Sequence, residues 1–149
     1  MAYKKIVIKG SGIRIERTAA AAFTPGHIVD ITSADKLQKH GTAGGTMAAL
    51  VAVEDDLQGN GIATAYSASN QAQAEFLRPG DEAYIYLAAG ENVAIGDTLE
   101  SHGDGCLRKE VTGSGASVAP SRAKFIAAEA KDLSASGAVD TRILVTCIA

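Results

Sequence analysis

Three imidazoles and two thiols carry most of the chain's potential for metal or acid–base chemistry: His27, His40, His102, Cys106 and Cys147. Two of the histidines recur in one pattern, D-x-L-x-x-H-G, over residues 35–41 and 97–103. If a folded duplication brought His40 and His102 together, with Asp35 and Asp97 orienting them, the pair would offer two nitrogen ligands. A zinc site normally takes three or four protein ligands. A His before a Gly more simply closes a turn against local backbone, so no metal site is expected. The cysteines are too few for a disulfide framework and have no zinc spacing. They read as small buried hydrophobes of a protein made in a reducing cytoplasm.

Other chemistries find no frame. No serine sits in a G-x-S-x-G elbow, and residues 40–45, His-Gly-Thr-Ala-Gly-Gly, lack the strand and helix that an oxyanion loop serves. Gly10-Ser11-Gly12 and Gly113-Ser114-Gly115 open like a dinucleotide fingerprint, but Ile15 and Val118 stand where its third glycine belongs. Glu54-Asp55-Asp56 is acidic without the spacing of a calcium loop. The chain is therefore expected to be no enzyme and to carry no cofactor.

Composition narrows the partners. A net charge of −3 argues against nucleic-acid binding, which needs phosphate-neutralising Lys and Arg. The longest apolar run, residues 47–53, is too short to span a bilayer, and no signal peptide is read at the start. Charge is unevenly spread: residues 1–23 hold Lys4, Lys5, Lys9, Arg14 and Arg17 against Glu16 alone. A basic, extended leader on an acidic body suggests an arm, residues 1–23, that reaches an acidic surface elsewhere.

The elements that would position these groups are short strands. Alternating apolar residues mark strands near 3–8, 13–16, 27–31, 83–87 and 142–146. Residues 71–76 alternate strictly, and their polar face predicts an edge strand. Val93 and Ile95, two apart, are expected on one strand face. Thr24-Pro25-Gly26 is a turn, and residues 113–121 read as a long Gly/Ser loop. The D-x-L-x-x-H-G pair, the apolar runs downstream and the closing strands recur in one order. This predicts a mostly β, compact small β-barrel or β-sandwich at 24–149. It would be built from two degenerate repeats, roughly 24–89 and 90–149, each giving three or four strands to one barrel.

The same features, in order, resemble the head decoration, or cement, proteins of tailed bacteriophages. The matching stretches are Pro25-Gly26, residues 40–45, 49–55, 78–82 and 90–105. The resemblance implies a non-enzymatic β protein, often a homotrimer, on the capsid exterior of the virion, made in the host cytoplasm and bound to the major capsid protein. It also implies an extended arm, which here would comprise Tyr3, Lys4, Lys5, Ile6, Arg14 and Arg17. Removing residues 1–17 should then leave a folded body that no longer binds capsids. The competing reading is a soluble β-barrel module for a small molecule or glycan, with Tyr66, Tyr84 and Tyr86 as its aromatic handles.

Overall fold

The computed structural model describes residues 5–111 and 122–149, so Tyr3, Lys4 and the loop expected at 113–121 lie outside the described residues. The fold is mostly β. Its strands are β1 (Val7–Lys9), β2 (Ile13–Ala19), β3 (Val29–Ile31), β4 (Lys36–Lys39), β5 (Leu50–Ala52) and β6 (Gln71–Phe76). There follow β7 (Glu82–Leu87), β8 (Asn92–Val93), β9 (Thr98–Ser101), β10 (Leu107–Lys109), β11 (Phe125–Ala127), β12 (Lys131–Asp132) and β13 (Thr141–Cys147). A 3₁₀ turn, Asp56–Gln58, is the only helical element among the described residues. No helix among them is long and apolar enough to cross a membrane.

Two five-stranded rings account for most of these strands. In the first, the order β3-β4-β2-β6-β5 closes through a bridge between Ile28 and Val51. In the second, β7-β10-β9-β11-β13 closes by pairing β13 back onto β7. The rings have the same topology. β2 pairs parallel with β4 and antiparallel with β6, as β7 does with β10 and β13. The antiparallel hairpin β3–β4 matches β9–β10.

Individual hydrogen bonds repeat too. Gly26 N–H donates to Ala52 O (2.8 Å) and Ala52 N–H to His27 O (2.9 Å). Gly96 N–H donates to Ala127 O (2.8 Å) and Ala127 N–H to Asp97 O (2.9 Å). Ala20 N–H to Leu37 O (2.7 Å) matches Ala88 N–H to Leu107 O (2.9 Å).

The duplication is thus present, but its register and boundaries differ from those expected. Gly26 corresponds to Gly96 and Asp35 to Gly105, the latter two both at positive φ (57° and 81°). The D-x-L-x-x-H-G match, which set Asp35 against Asp97, is a coincidence of letters. Each copy also closes its own barrel, with the copies running over residues 13–76 and 82–147.

A turn opens the hairpin in both copies. In 94–97, Gly96 has φ 89°, Asp97 N–H reaches Ala94 O (3.1 Å), and Ala94 N–H reaches the Asp97 carboxylate (2.9 Å). Residues 78–81 repeat this with Gly80 and Asp81. In 24–27 the fourth residue is His27, whose Nδ1 takes the Thr24 N–H (3.1 Å). Glycine is needed at the third place of such a type II turn because φ is positive there. This turn also corrects one expectation: Val93 is buried while Ile95 is 71% exposed at the turn's second position.

The first barrel's interior is Val29, Leu37, Leu50, Ala52 and the small Ala19, Ala72 and Ala74, with Phe23 and Tyr66 (5.5 Å between ring centroids) across one end. The matching positions in the second barrel are larger on average, with Leu87, Ile143 and Val145 in place of those last three alanines. Ile28, Val51 and Val53 point out of the first barrel and join the second barrel's core. Burying such faces in one another supplies roughly 25 cal/mol per Å² of apolar surface.

Two further expectations are corrected. β6 is not an edge strand: it lies between β2 and β5, and its polar residues Gln73 and Glu75 are buried. The described part of the basic leader is not a free arm either. β1 pairs antiparallel with β7 of the second barrel, Ile6 is fully buried, and Ile13 to Thr18 pair with β6. Lys5 and Lys9 are exposed on this stretch, where Ile6 is core and Ile8 is 44% exposed.

Two outcomes follow for stability. Deleting residues 1–17 removes Ile6 and most of β2 and should abolish cooperative unfolding by circular dichroism, whereas deleting residues 1–4 should not. An added Cβ at Gly26 would meet Arg142 Nε at 2.9 Å, whereas at Gly96 it meets nothing within 4 Å. Gly96→Ala should therefore cost about 1 kcal/mol of backbone strain in urea unfolding, and Gly26→Ala at least about 1 kcal/mol more.

Candidate interaction surface

The described site residues are Lys5, Ile6, Arg14 and Arg17. Lys5 is exposed. Ile6 is held inside: its N–H donates to Glu54 Oε2 (3.0 Å) and its carbonyl accepts from Tyr84 N–H (2.9 Å). Its side chain therefore cannot be a contact residue. Arg14 and Glu16 point outward from β2 because strand side chains alternate. Arg14 Nη1 donates to Asp56 Oδ1 (2.9 Å) and Gln73 Oε1 (3.0 Å). Arg17 Nε donates to Asp35 Oδ1 (2.7 Å), and its Nη1 to the Glu16 carbonyl (2.8 Å). The structure thus brings Lys5 and Arg14 to one face. There, with Glu54 and Glu75, they line an open recess of about 310 Å³.

A second recess, about 460 Å³, is lined by polar side chains that include Asp55, Asn60, Thr64 and Asn70. Tyr66 borders it but offers no free ring face. Its ring packs on Phe23 and its hydroxyl donates to Val53 O (2.6 Å). Burial pushes the phenol up to about 12. Glycan recognition by stacking needs an exposed ring, and neither Tyr66 nor the buried Tyr84 supplies one.

The remaining tyrosine belongs to the joint between the barrels. Tyr86 stacks with His27 (4.5 Å between ring centroids) and carries the Arg142 guanidinium over its ring (4.6 Å). Arg142 also donates to Pro25 O (3.0 Å) and Ile62 O (2.6 Å) of the first barrel. Main-chain bonds run alongside: Tyr86 N–H to Gly26 O (3.0 Å), Ile28 N–H to Gly105 O (2.8 Å) and Gly44 N–H to Ser101 O (2.8 Å). Stacked aromatics and a cation over a ring each add modestly to such a contact.

The two histidines of the repeated pattern are employed separately. His40 is buried, with Nδ1 2.8 Å from Asp30 Oδ2 and Nε2 3.0 Å from Thr42 O. His102 Nδ1 lies 3.2 Å from Asp104 Oδ1. The one grouping of ligand-type atoms among the described residues is Asp104, Cys106 and Asp140, within 4.8 Å of one another. Sequence reading missed it, because Asp140 comes from a distant loop. Burial, reinforced by the two carboxylates, pushes the Cys106 thiol well up, so it stays protonated, with Sγ 3.6 Å from Asp140 Oδ2. The carboxylates have structural duties as well, since Ala89 N–H donates to Asp140 and Cys106 N–H to Asp104.

Two small closed barrels are fused through a main-chain joint, and the recesses on their surface are shallow and polar. Comparison with known proteins bears on this fold. No family model matches the chain, and no curated sequence does. Among solved structures the fold is similar to the head fiber gp8.5 N base of bacteriophage phi29, with a TM-score of 0.59 at 10% identity. The likeness covers 92% of this chain and 94% of that one.

His27 gives the joint a pH signature. Burial, helped by Lys39, lowers its pKa from 6.5 to about 4, so the folded joint holds a neutral ring. The unfolded chain takes up that proton near pH 6.5 and the folded one only near 4. Stability present above pH 6.5 is thus lost as pH falls from about 6.5 to about 4. His27→Asn keeps an acceptor for Thr24 N–H but no titrating group. Its melting temperature should fall less than the wild type's over that window, as read by calorimetry.

Proposed function

We propose that this chain is a structural component of a tailed-phage head: a decoration protein that binds the outer face of the shell and ties major capsid subunits together. The single observation that carries the reading is the fold likeness to a head fiber base over nearly the whole length of both chains. The chain's own architecture supports it. A bridging protein has to present fixed surfaces on both barrels at once, and the interlocked joint removes the freedom that would otherwise cost binding entropy. No catalytic step is assigned to it. Repetition around a symmetric shell, as a homotrimer, would let modest contacts add through effective concentration.

Within this reading the leader acts through its exposed residues. Among the described residues these are Lys5 and the part-exposed side chains of Arg14 and Arg17, whereas Ile6 serves the core. A glycan-binding alternative would have to use the polar recess beside Asn60 and Asn70 without a stacking ring.

Co-sedimentation with emptied phage heads tests the proposal. The full chain should pellet with heads at a fixed ratio to the capsid protein. The chain lacking residues 1–4 should fold normally and pellet less, with the difference shrinking as added salt screens the charge contacts of the leader. A full chain that stays in the supernatant at every salt concentration would refute the proposal.

A further inference from the structure

The duplication shows what is missing from one of its copies. Along β7, the main-chain groups that face away from β13 are covered. Tyr84 N–H donates to Ile6 O (2.9 Å), Tyr86 N–H to Gly26 O (3.0 Å), and Ala88 N–H to Leu107 O (2.9 Å). The matching residues of β2 are Glu16, Thr18 and Ala20. Ala20 is bonded as Ala88 is, to Leu37 O. β4 reaches no further along β2 than Thr18 and Ala19. Beside Ile13 to Arg17, on the side away from β6, no described strand takes the place that β1 takes on β7. The Glu16 carbonyl is met there by the chain's own Arg17 guanidinium, a side-chain donor standing where a neighbour's N–H would be. Ile13 at this edge is 65% exposed.

An open edge invites strand addition, and its side chains say which strand fits. On β7, Val7 sits opposite Ala83, and Lys9 pairs with Glu82 (3.3 Å). Ala83 corresponds to Ile15 and Glu82 to Arg14, so the charge is inverted. The open edge therefore calls for an antiparallel segment with an apolar residue opposite Ile15 and a carboxylate opposite Arg14. β2 itself has this pattern, Arg14-Ile15-Glu16.

We propose that the β2 edge is a self-pairing surface, on which two copies of this chain join across a twofold axis centred on Ile15. In that register Ile15 faces Ile15 of the second copy as a non-hydrogen-bonded pair. Each Arg14 faces a Glu16, and the two exchange main-chain hydrogen bonds. Opposite charges directly across an antiparallel ladder are stabilising, and like charges are not. A five-residue edge is a small contact by the standard of stable dimers, so it acts as a weak link in solution. The link uses only β2; it shares Arg14 with the proposed capsid contacts, but its tests on the free protein do not require them.

Disulfide trapping on the free protein tests the register. Opposed residues of a non-hydrogen-bonded pair lie about 4.5 Å apart at Cα, within disulfide reach. Residues 13 of the two copies would be about 14 Å apart in this register, beyond that reach. Under mild oxidation Ile15→Cys should therefore give covalent dimer at least ten times faster than Ile13→Cys. Random collision favours the more exposed position 13, so equal rates, or a faster Ile13→Cys, would overturn the proposal. Charge exchange tests it without cysteine. Glu16→Arg and Arg14→Glu should each sediment as the unpaired form, and an equimolar mixture should associate at a concentration at least ten-fold lower than either alone. A mixture that behaves as the sum of its parts would overturn the proposal.

Discussion

The main-chain bond from Tyr86 N–H to Gly26 O joins the outer edge of one barrel to the opening turn of the other. Everything distinctive about this chain depends on that head-to-tail contact. It requires glycine at 26, because a side chain there would meet Arg142. It brings His27 onto Tyr86 and leaves room for the Arg142 guanidinium over the same ring. It also turns Ile28, Val51 and Val53 into core residues of the neighbouring barrel. Without it the chain would be two small rings, each close to the lower size limit for an independent hydrophobic core.

The two copies diverged where the joint required it. The fourth residue of the opening turn is a carboxylate in the second copy and an imidazole in the first, and both accept the same N–H. The imidazole alone can be neutral and stack, which suits a desolvated seam. The edge of β7 became wholly occupied, by β1, by the turn at Gly26 and by β10, while its twin on β2 kept its first half clear of described neighbours. Interior volumes shifted as well: alanines on β6 face an aromatic pair at one end, where β13 carries Ile143 and Val145.

Strand positions were largely legible because alternation survives duplication. Residues 71–76, 83–87 and 142–146 fall on β6, β7 and β13. The existence of two copies was legible, but their register was not. Buried positions exchange Ala72 for Ile143 and Leu50 for Phe125 with no loss of pattern, whereas His40-Gly41 and His102-Gly103 agree in letters and differ in role. Ring closure was hidden because the bridging residues, Ile28 and Val51, look like any strand residues. The leader misled for a related reason. Lysines around Ile6 and Ile8 suit a solvated arm or an edge strand equally, and only the β7 partner decides between them. The Asp104–Cys106–Asp140 group was invisible because its members come from two distant loops.

The central claim is that the duplicated barrels are welded by their main chains into one cooperative unit. Differential scanning calorimetry of the intact chain tests it most directly. A single transition near neutral pH is expected, with calorimetric and van't Hoff enthalpies that agree. Two resolved transitions, or a calorimetric enthalpy about twice the van't Hoff value, would show the barrels melting separately and would contradict it.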